Sequence, residues 1–319
     1  MASAVGLNAQ VAIAKEVTWG TANTTWTNWM EYVRCGFQSN ENVVPRPHLG
    51  VDGGGGLKAS FVGDVIAGGE LVVEMKYDGI GVLLDAAMGT SSSTGVGPYT
   101  HTYDPNSTTA LDGYTIRNLR GQSTEETFEG GKVDTWAIRG SAGNPLLLAT
   151  TWSFQKSGET RAAFGTTSTT LVDNNIVKPD HAGTISWNGN TFTLLDFELT
   201  GDNKLAKRTR MGSQYIAEQC VAGRRLWKLK ATIEVEDTNL FDDWVANTIA
   251  NLTQTYTGSG NDSFIIDADN AQLVAYSDTI DGEGIITAKC EWQLHADSSD
   301  PGLQIQLVND ATSATSNGG

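Results

Sequence analysis

The chain has 319 residues, 39% of them hydrophobic and 18% charged, with a formal net charge of −16 and a pI near 4.5. That composition supplies enough apolar side chains for a packed core, which excludes wholesale disorder, and the length suits two domains of ordinary size. The acidic balance lacks the basic face that phosphate recognition needs, so a sequence-wide nucleic-acid binder is excluded; what remains is solubility, or a surface along which DNA slides without sticking.

In chain order, the N-terminal MASAVGLNAQVAIAKE has no basic segment followed by a long apolar run, so no signal peptide is expected. No window reaches the roughly 18 consecutive apolar residues of a membrane helix, so no membrane insertion is expected. TNWMEYVRCGFQSNENVV reads as an alternating strand ending in a polar turn, and PRPHLGVDGGGGLKASFVGDVIAGG as a long loop. Leu71, Val73, Met75 and Tyr77 then alternate with Val72, Glu74 and Lys76, the pattern of a half-buried strand. Asp78 is a suitable N-cap for a helix carrying Ile80, Leu83, Leu84 and Ala87, with Gly89 as its C-cap. After the turn GSAGNP, Leu146, Leu148, Thr150, Trp152 and Phe154 alternate again.

The same order returns downstream. NTFTLLDFELTGDNKL is a strand ending in a polar turn, and DNKLAKRTRMGSQYIAEQCVAGR is the corresponding loop. Leu229, Ala231, Ile233 and Val235 alternate, Asp237 or Thr238 caps a helix with Leu240, Phe241, Trp244, Val245 and Ile249, and Asp242 and Asp243 suit its first turn. IDGEG leads into a strand with Ile286, Ala288, Cys290, Trp292 and Leu294, so Trp152 and Trp292 fall at matching places. An offset of about 158 residues is far beyond a solenoid period and right for a duplicated domain. The expected organisation is a mainly β chain. A first domain covers 1–155, a polar connection 156–179, a second domain 180–310 and a floppy tail 311–319. Each domain is a β-sandwich or barrel with one flanking helix.

The residue types that carry chemistry do not assemble into a motif. Cys35, Cys220 and Cys290 are odd in number and widely spaced, which argues against a disulfide scaffold or a zinc site. His48, His101, His181 and His295 form no HExxH or HxH, and neither a GxSxG elbow nor a phosphate-binding loop is present. Gly53 to Gly56 lack the βαβ context of a dinucleotide site and read as a hinge. Asp267 and Asp269 are a weak calcium candidate without the EF-hand spacing. Trp19, Trp26 and Trp29 suit either a sugar-stacking platform or, the preferred reading, packing and interface roles. Lys204, Lys207, Arg208 and Arg210 stand out in an acidic chain and are expected to meet an acidic face on a neighbouring copy rather than DNA. No catalytic group, cofactor or metal is expected.

Several segments together resemble the tail tube proteins of long-tailed bacteriophages. AKEVTWGTANTTW resembles their Glu-x-x-aromatic-Gly-Thr signature, here Glu16, Trp19, Gly20 and Thr21. GELVVEMKYDGIGVLLDAAMG is similar to their strand leading to a helix that ends in a Leu/Met-Gly step. PYTHTYDP matches with Tyr99, Thr100 and His101, and FEGGKVDTWAI with Phe128, Gly130, Lys132 and Val133. The resemblance implies a sandwich closing toward a barrel, assembled into rings that stack as a tube. Two fused copies per chain then give a ring of three chains with pseudo-sixfold symmetry. It implies location in the virion tail, with the host cytoplasm before assembly. The implied partners are further copies of the chain, tape-measure protein and passing DNA held without sequence-specific contacts, and other tail proteins at the tube ends. Subunit contacts are expected at Glu16, Trp19, Gly20 and Thr21; at Arg46, His48, Leu49 and Lys58; and at Lys204, Lys207, Arg208 and Arg210. The loops 46–68 and 201–222 and both termini are expected to carry stacking contacts. The competing expectations are a carbohydrate-binding or adhesive β-sandwich on a virion surface, and an unusual hydrolase.

Overall fold

A computed structural model describes residues 9–26, 28–46, 58–105, 111–120, 124–158, 162–163, 176–178, 184–279, 283–297 and 300–315. The first half holds β1 (Gln10–Lys15), β2 (Asn28–Met30), β3 (Arg34–Cys35), β4 (Gln38–Arg46), β5 (Lys58–Glu74), α1 (Gly81–Met88), β6 (Gly89–Thr94), β7 (Tyr99–Pro105), β8 (Tyr114–Arg120), β9 (Thr124–Ser141), β10 (Leu147–Phe154), β11 (Lys156–Ser157) and β12 (Ala162–Ala163). The second holds β13 (Thr184–Trp187), β14 (Asn190–Asp202), β15 (Leu205–Arg208), β16 (Glu218–Val221), β17 (Leu226–Glu234), α2 (Asn239–Val245), β18 (Ile249–Thr257), β19 (Ser263–Thr279), β20 (Thr287–Leu294) and β21 (Gln304–Asn309).

The period-two patterns sort as alternation dictates. Leu71, Val73, Met75 and Tyr77 are buried, as are Leu146, Leu148, Thr150, Trp152 and Phe154 opposite them. In the second half Leu229, Ala231, Ile233, Ala288, Cys290, Trp292 and Leu294 are buried. Gly89 ends α1 in the left-handed conformation, as expected of a C-cap. Asp78 does not cap it: the cap position is Ile80, without a side-chain bond. Likewise α2 stops at Val245, because Ile249 already starts β18.

One pairing scheme occurs twice. In the second half the antiparallel ladders β13–β14, β14–β17, β17–β20, β20–β19, β19–β18 and β18–β13 close on themselves, so these six strands form a barrel. In the first half β2–β1, β1–β8, β8–β9, β9–β10, β10–β5 and β5 with β3 and β4 follow the same circuit, β2 to β4 standing for β14. The bulges coincide as well. The β9–β10 ladder shifts between Thr151 and Trp152, where Trp152 faces Val133; the β19–β20 ladder shifts where Trp292 faces Leu273. The ladder of β8 on β9 shifts between Tyr114 and Ile116, and that of β18 on β19 between Ala250 and Leu252. Bulges re-aim a strand, so matching bulges bend both circuits at the same corners.

The second half of β9 (Thr135–Ser141) also pairs with β14 (Asp196–Asp202). One antiparallel sheet therefore runs β4–β5–β10–β9–β14–β17–β20–β19 across both halves. The C-terminal strand ties them a second time: β21 pairs with β19 on one side and with β7 on the other. The tail beyond it is not floppy over its described part. Ala311 and Ala314 are buried, and the Ala314 carbonyl accepts from the Tyr103 hydroxyl at 2.6 Å. Part of the polar connection is structured too, because β11 and β12 pair with β9, and buried Val177 donates its amide to the Met75 carbonyl. The expected loop 46–68 is shorter than its glycines suggest, since Lys58 onward is strand; the expected loop 201–222 contains the β15–β16 hairpin.

Candidate functional site

Alternate residues of the spanning sheet point away from the core and form a polar face. Two shallow troughs follow it. One is lined by Glu70, Thr135, Arg139, Thr151, Thr200, Asp202 and Lys228 with Ala137, Ala149 and Leu226 between them, the other by Asp196, Lys230, Thr232, Ser277, Lys289 and Glu291 with Ala231 and Ala275 between them. Most of the cations here are tied to carboxylates on adjacent strands. Arg139 Nε lies 2.6 Å from Glu198, Lys228 Nζ 2.6 Å and Lys230 Nζ 3.8 Å from Glu291, and Arg34 contacts Glu70. The bond from Lys228 pulls the Glu291 carboxyl below its ordinary range. Such exposed pairs add little stability. Their effect on a passing polyanion is larger, since a cation already facing a carboxylate offers a phosphate little net attraction.

The sheet ends on two strands that, among the described residues, have a ladder partner on one side only: β4, paired with β5, and residues 273–279 of β19, paired with β20. Apolar side chains are exposed near both. Val43, Phe61, Val62 and Ile66 are 41–55% exposed at the first edge, and Val274, Phe241 and Val245 are 45–60% exposed at the second. An unpaired edge flanked by exposed apolar residues is a surface prepared for another strand.

The segment after β1 is held by a buried carboxylate. Glu16 accepts from the Gly20 amide at 2.7 Å, from the Thr115 hydroxyl at 2.8 Å and from the Gly130 amide at 2.8 Å. Trp19 Nε1 donates to the Gly130 carbonyl at 2.9 Å, and Lys132 Nζ sits 5.4 Å from the Trp19 ring. Burial lowers the Lys132 pKa, and its ammonium donates to the Gln219 carbonyl at 2.9 Å. This clamp ties the β1 end to the corner where β9 passes from one sheet to the other.

A family model for phage tail tube proteins matches residues 6–294, nearly the whole chain. The chain belongs to the phage tail tube protein family. No curated protein matches it. The family is structural, which sets the chain in the virion tail as a part of the tube that assembles with its own copies and meets other tail proteins. The mainly β architecture and its free edges suit that role.

Within this tube family member, the expected contact residues separate by place. Glu16, Trp19 and Gly20 make the internal clamp, and Thr21 is exposed beside it. Arg46 is exposed at the end of β4, opposite Lys58 of β5 in the ladder. His48 and Leu49 lie outside the described residues. Lys204 pairs with Asp202 at 2.5 Å, and Arg208 and Arg210 face Glu218 at 3.5 and 3.3 Å, within or beside the β15–β16 hairpin; Lys207 is exposed on the same hairpin. The structure thus brings the basic cluster together and balances much of it internally.

The residues weighed for chemistry have structural partners. His101 is buried between Ser93 and Asn309, and His295 meets Gln272; His181 lies outside the described residues. Asp267 and Asp269 both accept from Asn251 Nδ2 at 2.9 Å, and among the described residues no group of three His, Cys, Asp or Glu is placed to hold a metal. Trp152, Trp187 and Trp292 are buried, and Trp26 and Trp29 each lie against Arg117, 5.8 and 5.7 Å from its guanidinium carbon. Among the described residues no helix is long and apolar enough to cross a membrane. Sequence reasoning missed the polar face, because its cations look unremarkable until the register sets most of them beside a carboxylate.

Proposed function

We propose that this tail tube protein forms rings of three chains with pseudo-sixfold symmetry, and that the stacked rings conduct phage DNA during ejection. A gene duplication produced the two barrel-like units, 1–155 and 180–310, so that one chain does the work of two single-domain subunits. The observation that carries the reading is the repeated strand circuit inside a family member: one chain already contains two equivalent blocks of sheet joined side by side. A contact that repeats head to tail closes into a ring, and stacking that does not close extends as a filament.

In this reading the polar face of the spanning sheet lines the bore. Its ion-paired cations let DNA and the tape-measure protein pass without sequence-specific contacts. The segments 46–68 and 201–222 and the two termini carry the axial contacts to the next ring, with Arg46, Lys58, Lys207, Arg208 and Arg210 among them, and the subunit stays in the host cytoplasm until assembly.

The test is negative-stain electron microscopy of purified protein across a concentration series. Rings or tubes with a stain-filled bore are expected. A species that stays monomeric at high concentration and binds glycans on an array would replace this reading with the adhesive one.

A further inference from the structure

We infer that protomers join edge to edge by repeating between chains the β9–β14 junction that joins the two halves within each chain. The edge of β19 at residues 275–279 lies antiparallel to residues 36–40 of a second copy. The inference rests on the tube reading only for the identity of that partner.

The register follows from the duplicated ladders. Trp152 faces Gly69 and Trp292 faces Leu229, so β5 and β17 occupy equivalent places, with Gly68 standing for Lys228. Gln38 pairs with Gly68 and Thr200 with Lys228, so Gln38 is the counterpart of Thr200. Thr151 faces Thr135 and Glu291 faces Ala275, so Ser277 is the counterpart of Ala137. Within the chain Thr200 pairs with Ala137, and between chains Gln38 therefore pairs with Ser277.

Two further observations agree with this placement. At the internal junction Trp136 lies over Gly201, where a Cβ would come within 2.2 Å of the indole ring. The counterparts are Tyr276 and Ser39, again an aromatic residue opposite a small one, as cross-strand packing requires. The helices differ in the same sense. All of α1 is buried, and its last turn is held from across the junction by Asn203 Nδ2 on the Ala87 carbonyl at 2.9 Å and Arg225 Nη1 on the Met88 carbonyl at 3.1 Å. Its counterpart α2 buries only Leu240 and leaves Phe241 and Val245 exposed beside the open β19 edge. A second copy docked in the equivalent place covers α2 as the second half covers α1. In the single chain the Phe37 carbonyl accepts from Arg120 at 2.8 Å; docking exchanges that bond for a ladder bond.

Gln38 and Ser277 are both exposed, so Gln38→Cys with Ser277→Cys leaves the core intact. Oxidised assemblies of this double variant should run as a crosslinked ladder on a non-reducing gel, with the monomer band lost. Neither single variant, nor Asn40→Cys with Ser277→Cys, which is two residues out of register, should do so. Normal tubes that give no such ladder, or that crosslink equally out of register, overturn the inference and leave the tube reading standing. Protein that forms neither rings nor tubes overturns both.

Discussion

The Glu16 carboxylate shows what one buried side chain does here. It is 8% exposed and accepts three hydrogen bonds, two of them from the buried Thr115 hydroxyl and Gly130 amide, which have no water to turn to. Glu16→Ala should lower stability by about 2–3 kcal/mol, the cost of stranding buried donors that faced a charge, read as a fall in the thermal midpoint. The effect of pH belongs to this scale as well. Burial pushes the Cys35 thiol up to about 11 and the Cys290 thiol up to about 12, from an ordinary value of 9.0. Because both ionise later in the folded chain than in the unfolded one, they favour the fold fully below pH 9 and lose that contribution as pH rises toward 11 and 12. Cys290→Ala should therefore flatten the alkaline fall in stability, measured by denaturant unfolding at a series of pH values. A variant with the same alkaline slope as the parent would count against a buried neutral thiol.

At the scale of elements, equivalent helices in unequal surroundings give a sharp contrast. Leu84→Ala in α1 removes a fully buried side chain and should cost about 2–5 kcal/mol. Val245→Glu in α2 changes a residue 60% exposed and should alter monomer stability by no more than about 0.5 kcal/mol while blocking assembly, as seen by unfolding curves and electron microscopy on the same preparation. The strands were readable in the sequence wherever one face is buried: the alternation at 71–77, 146–154 and 288–294 named both the core face and the matching tryptophans, whereas Ile286, read with the last of these, is exposed just before β20. The repeated strand circuit was readable for the same reason, although Leu71 takes the place of Ala231 and not Leu229, a slip of two that keeps the same face and so leaves the pattern unchanged. Helix starts were less readable. Asp78 is a good cap by type, but α1 begins only at Gly81, with Ile80 at the cap position. The strand in 58–68 was hidden by Gly63, Gly68 and Gly69, residues that usually mark loops, and the C-terminal strand β21 by its short run and by partners about 40 and 200 residues away in sequence.

For the whole molecule, a net charge of −16 says nothing about where the charge sits. The spanning sheet places Arg139, Lys228 and Lys230 against Glu198 and Glu291, so two carboxylates hold three of the cations on the proposed bore face. Reversing both with Glu198→Lys and Glu291→Lys frees those three cations and adds two more per chain. The fold should tolerate it, since exposed pairs contribute only about 0–1 kcal/mol each. Tubes should still form, because neither residue lies on the β4 edge or on β19. What changes is the interior: released ammonium and guanidinium groups would bind phosphate, with an affinity that falls steeply as salt rises. Short duplex DNA added to variant tubes at low salt should appear as density in the bore by averaged cryo-electron microscopy and wash out at high salt, while parent tubes stay empty under both conditions. If variant tubes exclude DNA as well as the parent does, the polar face is not the bore lining.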